Sequence, residues 1–169
     1  GVTIIFNGEI YNFSEIKKII YSKGLVLKTN SDTELILKMY MIFGTNCINY
    51  FEGMWAFAIF DSLKQIVFIS RDRIGEKPLY FSKGENFFIF SSEIKTIFNS
   101  NLKNFKPNLE MFHEIFLHGK IFGKQTAFKD IFELEPGKYL DLKITKNEYT
   151  IKTYWTLEDI NETQEKISK

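Results

Sequence analysis

The sequence is poor in the residues most often used for covalent or metal chemistry. It has one cysteine in 169 residues, Cys47, so no disulfide can form within the chain and a reducing, cytoplasmic setting is expected. Cys47 stands in Asn46-Cys47-Ile48 between apolar stretches with no histidine nearby, which points to a buried inert thiol rather than a nucleophile. The two histidines, His113 and His118, miss the i,i+4 spacing that puts two imidazoles on one helix face. With no cysteine pair and no HExxH motif, no metal site is expected. Neither GxxxxGK[ST] nor GxGxxG occurs, which removes the sequence argument for nucleotide binding within the chain. Neither sign of charge is in excess, 22 basic against 21 acidic residues, so nothing electrostatic calls for nucleic acid or an anionic membrane as partner. Apolar runs stop short of the roughly 18 to 20 residues that span a bilayer, and a basic-then-apolar leader is missing. Small molecules and protein remain as partners.

The composition does supply the means for a core. Hydrophobic residues make up 44% of the chain, enough for one domain. The sequence opens directly on Gly1-Val2-Thr3-Ile4-Ile5-Phe6, a β-rich run with no lead-in, and is expected to start inside a fold. Val2 to Phe6 predicts a buried strand ended by the turn-forming pair Asn7-Gly8. Phe13, Ile16, Ile19 and Ile20 fall at helical spacing, with Asn12 and Glu15 as a capping pair and Gly24 as the stop. Leu25 to Lys28 predicts a short strand. Ser31 with Glu34 three residues on has the capping-box spacing for a second helix carrying Leu35, Ile36, Met39, Tyr40 and Phe43.

From Met54 the texture changes to short aromatic or β-branched runs: Trp55 to Asp61, Gln65 to Ser70, Pro78 to Ser82 and Asn86 to Phe90. These predict an antiparallel meander. Ser92 to Phe98 and Leu109 to Leu117 read as helices, and Gly137 to Ile144 with Tyr149 to Trp155 as a hairpin around Lys146-Asn147. Residues 1–157 are expected to form the domain, and the polar segment 158–169 a linker. Segregated blocks of helices and strands favour an α+β fold of sheet layers covered by helices.

Two places could carry chemistry. At Asn7-Gly8, the Asn amide and an adjacent backbone N–H are uncharged donors suited to a developing oxyanion. The alternative is a plain turn, since Asn-Gly is a common hairpin signal. Glu9 and Asp32 could bind a substrate ammonium between two carboxylates. Asp32 is equally explained by a helix start, where the dipole favours a negative charge by about 0.3 to 1 kcal/mol. Arg71 to Tyr80, charge packed around a glycine and a proline, reads as a structural network.

Several strings stand in a telling order: Phe6-Asn7-Gly8-Glu9-Ile10-Tyr11-Asn12, Ser31-Asp32-Thr33-Glu34, Gly53-Met54-Trp55-Ala56-Phe57-Ala58, Arg71-Asp72-Arg73-Ile74-Gly75-Glu76-Lys77-Pro78-Leu79-Tyr80 and Phe90-Ser91-Ser92-Glu93-Ile94-Lys95. Phe128-Lys129-Asp130-Ile131, Leu134-Glu135-Pro136-Gly137-Lys138-Tyr139 and Tyr154-Trp155 continue it. Over nearly the whole chain the pattern resembles the class II glutamine amidotransferase domain of glutamine-hydrolysing asparagine synthetases.

That resemblance implies an N-terminal-nucleophile hydrolase fold, a four-layer sandwich of two antiparallel sheets between helix layers, here missing its first strands. It implies L-glutamine as substrate, Asn7 and Gly8 as oxyanion hole, and Glu9 and Asp32 as further glutamine-binding residues. The attacking group in the family is an amino-terminal Cys, and an upstream Arg holds the glutamine carboxylate; neither has a counterpart in this sequence. The Ser-Gly-Gly-x-Asp-Ser pyrophosphate loop of the synthetase domain is also absent. The chain is therefore expected to carry no cofactor of its own, ATP and Mg belonging to a synthetase domain of the same parent chain, and to be inactive alone. A homodimer is allowed. A sugar or polysaccharide acceptor, or a non-catalytic scaffold role, are the alternatives.

Overall fold

The computed structural model describes residues 1–159; the rest of the expected linker, residues 160–169, lies outside the described residues. The chain divides into two compact units, one made of Gly1–Glu76 with the described part of Pro136–Lys169, the other of Lys77–Glu135. Each contains an antiparallel sheet with helices, an α+β arrangement as the segregated sequence pattern predicts.

The first unit opens with strand β1 (Val2–Ile10), helix α1 (Phe13–Ser22), helix α2 (Asp32–Phe43), a 3-10 stretch (Gly44–Tyr50), and strands β2 (Gly53–Asp61) and β3 (Ile66–Arg71). The second holds β4 (Tyr80–Lys83), β5 (Phe88–Ser91), α3 (Ile94–Phe98), α4 (Leu109–His118) and β6 (Phe132–Glu133). The chain then returns to the first unit as β7 (Lys138–Lys143) and β8 (Glu148–Thr153). The first sheet runs β1-β2-β3-β7-β8 and the second β5-β4-β6. The expected continuous meander is thus broken after β3, whose next neighbour is β7, while β4 pairs with β5 in the other sheet.

One face of the first sheet carries its core. Trp55, Phe57 and Ile59 of β2 and Phe68 of β3 pack with Ile16 and Ile20 of α1 and with Leu35, Ile36, Met39 and Tyr40 of α2. Each such side chain contributes roughly 1.5 to 3 kcal/mol by leaving water. Val2, Ile4 and Phe6 add the apolar side of β1, whereas Thr3, Ile5, Asn7 and Glu9 are exposed. The alternation corrects the expectation of a fully buried strand: β1 is the edge of its sheet, covered on one face only.

Four local expectations change. Asn7-Gly8 is no turn: β1 continues through it, in unbroken register with β2 from Val2 opposite Asp61 to Ile10 opposite Gly53. Leu25 to Lys28 forms no strand; the carboxylate of Glu34 instead accepts from the backbone N–H groups of Lys28 (2.8 Å) and Thr29 (2.7 Å). Occupied there, Glu34 does not complete a capping box, and the Ser31 N–H donates to Thr29 Oγ1. Asn12 leaves α1 without a side-chain cap and clamps the chain, donating to the Tyr50 carbonyl (2.9 Å) and accepting from the Glu52 N–H (3.0 Å).

Candidate active site

The pairing of β1 with β2 sets the direction of the backbone at Gly8. Trp55, opposite Gly8, donates its N–H to Asp72 Oδ2 (3.2 Å) and accepts the Asp72 N–H at its carbonyl (2.9 Å). Both main-chain groups of Trp55 therefore turn away from β1. Gly8 is then a non-hydrogen-bonded partner, and antiparallel alternation turns its N–H toward the open edge of the sheet. Ile10, two residues on, obeys the same alternation.

At that edge, the Ile10 N–H donates to Asp32 Oδ2 at 3.0 Å. Asp32 is the first residue of α2, whose N-cap Ser31 accepts from Thr33. The helix-start reading of Asp32 is correct as geometry, and the same carboxylate also reaches the strand carrying Asn7, Gly8 and Glu9. The four residues singled out in the sequence come together at one end of β1. Asn7 and Glu9, two apart, share its exposed face; Gly8 presents backbone at the edge; Asp32 stands beyond Ile10.

Gly8 is also sterically required. Its φ is +154°, and a Cβ there would collide with the carbonyl of Met54. Across the pair, a Cβ on Gly53 (φ +142°) would collide with the carbonyl of Glu9. The two glycines let the strands approach where the site is built.

Asp72 holds the neighbouring loop. It is fully buried, and besides Trp55 its carboxylate accepts from the N–H groups of Ile74 (3.2 Å), Gly75 (2.6 Å) and Glu76 (3.0 Å). Arg73 donates to the Phe51 carbonyl at 2.6 Å, and Tyr154 donates to the Arg71 carbonyl at 2.8 Å. The stretch Arg71–Glu76 is the structural network expected of it.

Tyr11 and Glu76 stand near these residues as well. The Tyr11 hydroxyl is held above its ordinary range, first by desolvation and then by the charges of Glu76, Glu9 and Asp72, so carboxylates from two motif strings stand around one exposed phenol. Both strings belonged to the resemblance, which was the available signal.

Cys47 is fully buried in the 3-10 stretch, and burial pushes its thiol up to about 12. It is the inert thiol expected. Among the described residues, no cluster of three His, Cys, Asp or Glu could hold a metal ion, and no helix is long and apolar enough to cross a membrane. A cleft of about 540 Å³ in the same unit, lined by Arg73, Ile74, Pro136, Lys138, Trp155, Leu157 and two threonines, contains none of Asn7, Gly8, Glu9 or Asp32.

The family model described as a glutamine amidotransferase domain matches residues 1–155. A Methanocaldococcus jannaschii protein is 41% identical over 160 residues, 94% of this chain and 30% of its own length. Two Bacillus subtilis proteins, named asparagine synthetase [glutamine-hydrolyzing] 2 and 3, are 36% and 34% identical over 95% and 92% of this chain. The chain spans only 22% and 25% of their lengths. Among solved structures, glutamine phosphoribosylpyrophosphate amidotransferase from B. subtilis superposes with a TM-score of 0.61 at 17% identity, covering 92% of this chain and 29% of that one, a likeness of fold.

Proposed function

Because the chain belongs to the glutamine amidotransferase domain family, we propose that it binds L-glutamine at the end of β1 and serves hydrolysis of the side-chain amide, passing ammonia to an asparagine synthetase portion. The observation that carries this reading is the placement of the Gly8 N–H at an open sheet edge with Asp32 held beside it. The Gly8 N–H and the Asn7 amide supply uncharged donors for the amide oxygen as negative charge develops on it; one such donor is worth roughly 2.7 to 4 kcal/mol. Glu9 and the Asp32 Oδ1 atom, not used by Ile10, supply carboxylate for the substrate ammonium. The synthetase portion, with ATP and Mg, would make asparagine from aspartate.

The attack itself requires a thiolate. Cys47, the one thiol of the sequence, is buried and held protonated, so the nucleophile has to come from outside these residues and the 169-residue chain has no glutaminase activity by itself. The test joins a Cys-initiated segment to Gly1 and follows glutamate release from glutamine. Activity is expected in the extended protein and none in the chain alone. Turnover by the chain alone that survives Cys47→Ala would overturn this account.

A further inference from the structure

The cleft of about 540 Å³ beside the Arg71–Glu76 loop is formed within the first unit, where that loop meets the start of β7 and the chain leaving β8. The three stretches are tied together at Gly137. Its N–H donates to the Asp72 carbonyl (2.9 Å), and its own carbonyl accepts from the N–H groups of Tyr154 (2.9 Å) and Trp155 (3.3 Å). The approach is close enough that a Cβ on Gly137 would collide with the Trp155 carbonyl. Main-chain bonds thus fix the walls before any ligand arrives, and the volume falls within the roughly 300 to 1,000 Å³ of small-molecule sites.

The lining is that of a site for an organic anion. Arg73 and Lys138 bring positive charge to it, and among the described residues that line it there is no carboxylate. Arg73 donates to the Phe51 carbonyl at 2.6 Å, a neutral acceptor that orients the guanidinium without cancelling its charge. Asp159, just beyond the cleft, has its carboxylate turned to Thr156, whose N–H it accepts at 2.6 Å. Half-buried Trp155 adds a flat aromatic surface, and Ile74 (65% exposed) and Leu157 (71%) add apolar flanks left to water.

We propose that this cleft binds a small organic anion with a planar apolar body, its carboxylate or phosphate held by Arg73 and Lys138 and its ring laid against Trp155. Charge-assisted hydrogen bonds from a guanidinium and an ammonium suit either anionic group, and a stacked ring covers aromatic surface that is otherwise wet. An inorganic ion would leave the apolar lining in water, and a neutral aromatic would make no use of the cations. Aromatic carboxylates and nucleoside monophosphates both offer the two ends required. The proposal is independent of the glutamine reading, because Asn7, Gly8, Glu9 and Asp32 take no part in the cleft.

Isothermal titration calorimetry of the 169-residue chain tests it with 2-naphthoate, its neutral analogue 2-naphthamide, AMP and inorganic phosphate. At least one of 2-naphthoate and AMP should bind with a Kd below about 1 mM and at least about tenfold more tightly than its control, the neutral amide or the bare phosphate. Which of the two binds more tightly tells whether the cleft is built for a carboxylate or a phosphate. Lys138→Met and Trp155→Leu should each weaken that binding about fivefold or more. Leu157→Asp, at an exposed position that circular dichroism should show to leave the fold intact, sets a negative charge in the cleft and should do the same. Failure of both anions to bind at millimolar concentration overturns the proposal. So does binding that the controls match, or that neither Lys138→Met nor Leu157→Asp alters.

Discussion

Asp32, the first residue of α2, accepts a 3.0 Å hydrogen bond from the backbone N–H of Ile10, the last residue of β1. That bond joins a helix start to a sheet edge and places a carboxylate near the outward-facing N–H of Gly8. Only Oδ2 takes part in that bond, so the hold on the strand uses one of the two carboxylate oxygens.

Asp32→Asn should separate the hold on the strand from the charge. The amide oxygen can still accept from Ile10, so the thermal midpoint should stay within a few degrees of wild type, a change of under about 1 kcal/mol. The negative charge is lost. In an enzyme supplied with the attacking thiol, the KM for glutamine should rise at least about tenfold, a loss of 1.4 kcal/mol, while ammonia-dependent synthesis persists. Unchanged glutamine kinetics would remove Asp32 from the site.

Gly8→Ala should be far more harmful than Gly24→Ala. Both glycines have positive φ, but a Cβ at Gly24 meets nothing within 4 Å, whereas at Gly8 it meets the backbone of Met54 and Trp55. Gly24→Ala should cost about 1 to 2 kcal/mol from backbone strain alone. Gly8→Ala must push β1 from β2 and should exceed about 3 kcal/mol, read from urea midpoints. Equal midpoints would mean that the strands do not approach as described.

Asp72 gives the sharpest stability prediction of the loop. Its carboxylate takes N–H donors from Trp55, Ile74, Gly75 and Glu76, and hydrogen bonds to a charged group contribute about 1.5 to 3 kcal/mol. Asp72→Asn replaces one accepting oxygen with a donor that faces another N–H. A loss of more than about 3 kcal/mol in chemical denaturation is expected.

How far the sequence revealed this architecture depended on the range of the interaction. The 3.6-residue spacing of Ile16, Ile19 and Ile20 identified α1, because an amphipathic helix is specified within a few turns, and α2 followed from Leu35, Ile36, Met39 and Tyr40 in the same way. Asn7-Gly8 has a local turn preference that the nine-position pairing of β1 with a strand beginning at Gly53 overrides. Nothing near Leu25 told that Glu34 would claim the Lys28 and Thr29 amides, and nothing near β3 that its neighbour would be β7. Motif order singled out Asn7, Gly8, Glu9 and Asp32 as candidates. Their convergence was not legible, since the Ile10–Asp32 bond joins elements that only the tertiary fold brings together.

Asp141 offers a prediction in pH. It lies on β7 opposite Phe68, its Oδ1 is buried without a partner, and Lys152 approaches Oδ2 only to 3.7 Å from an exposed position. Burial raises the Asp141 carboxyl above the usual carboxylate range, and Lys152 offsets part of that rise. A raised folded value means that the native state holds its proton more tightly than the unfolded chain, so this group favours folding at low pH. Its contribution is lost as pH rises from the unfolded carboxylate value, about 3.9, through the raised folded value. Above that window the fold carries a desolvated charge. Asp141→Asn removes the charge while keeping the shape, and should stabilise the protein at neutral pH by on the order of 1 kcal/mol. Below pH about 4, where Asp141 is protonated in both states, the variant and wild type should converge. Thermal midpoints of the two proteins between acid and neutral pH measure the difference. A variant less stable than wild type at neutral pH would show that the Lys152 pair, not burial, governs the residue.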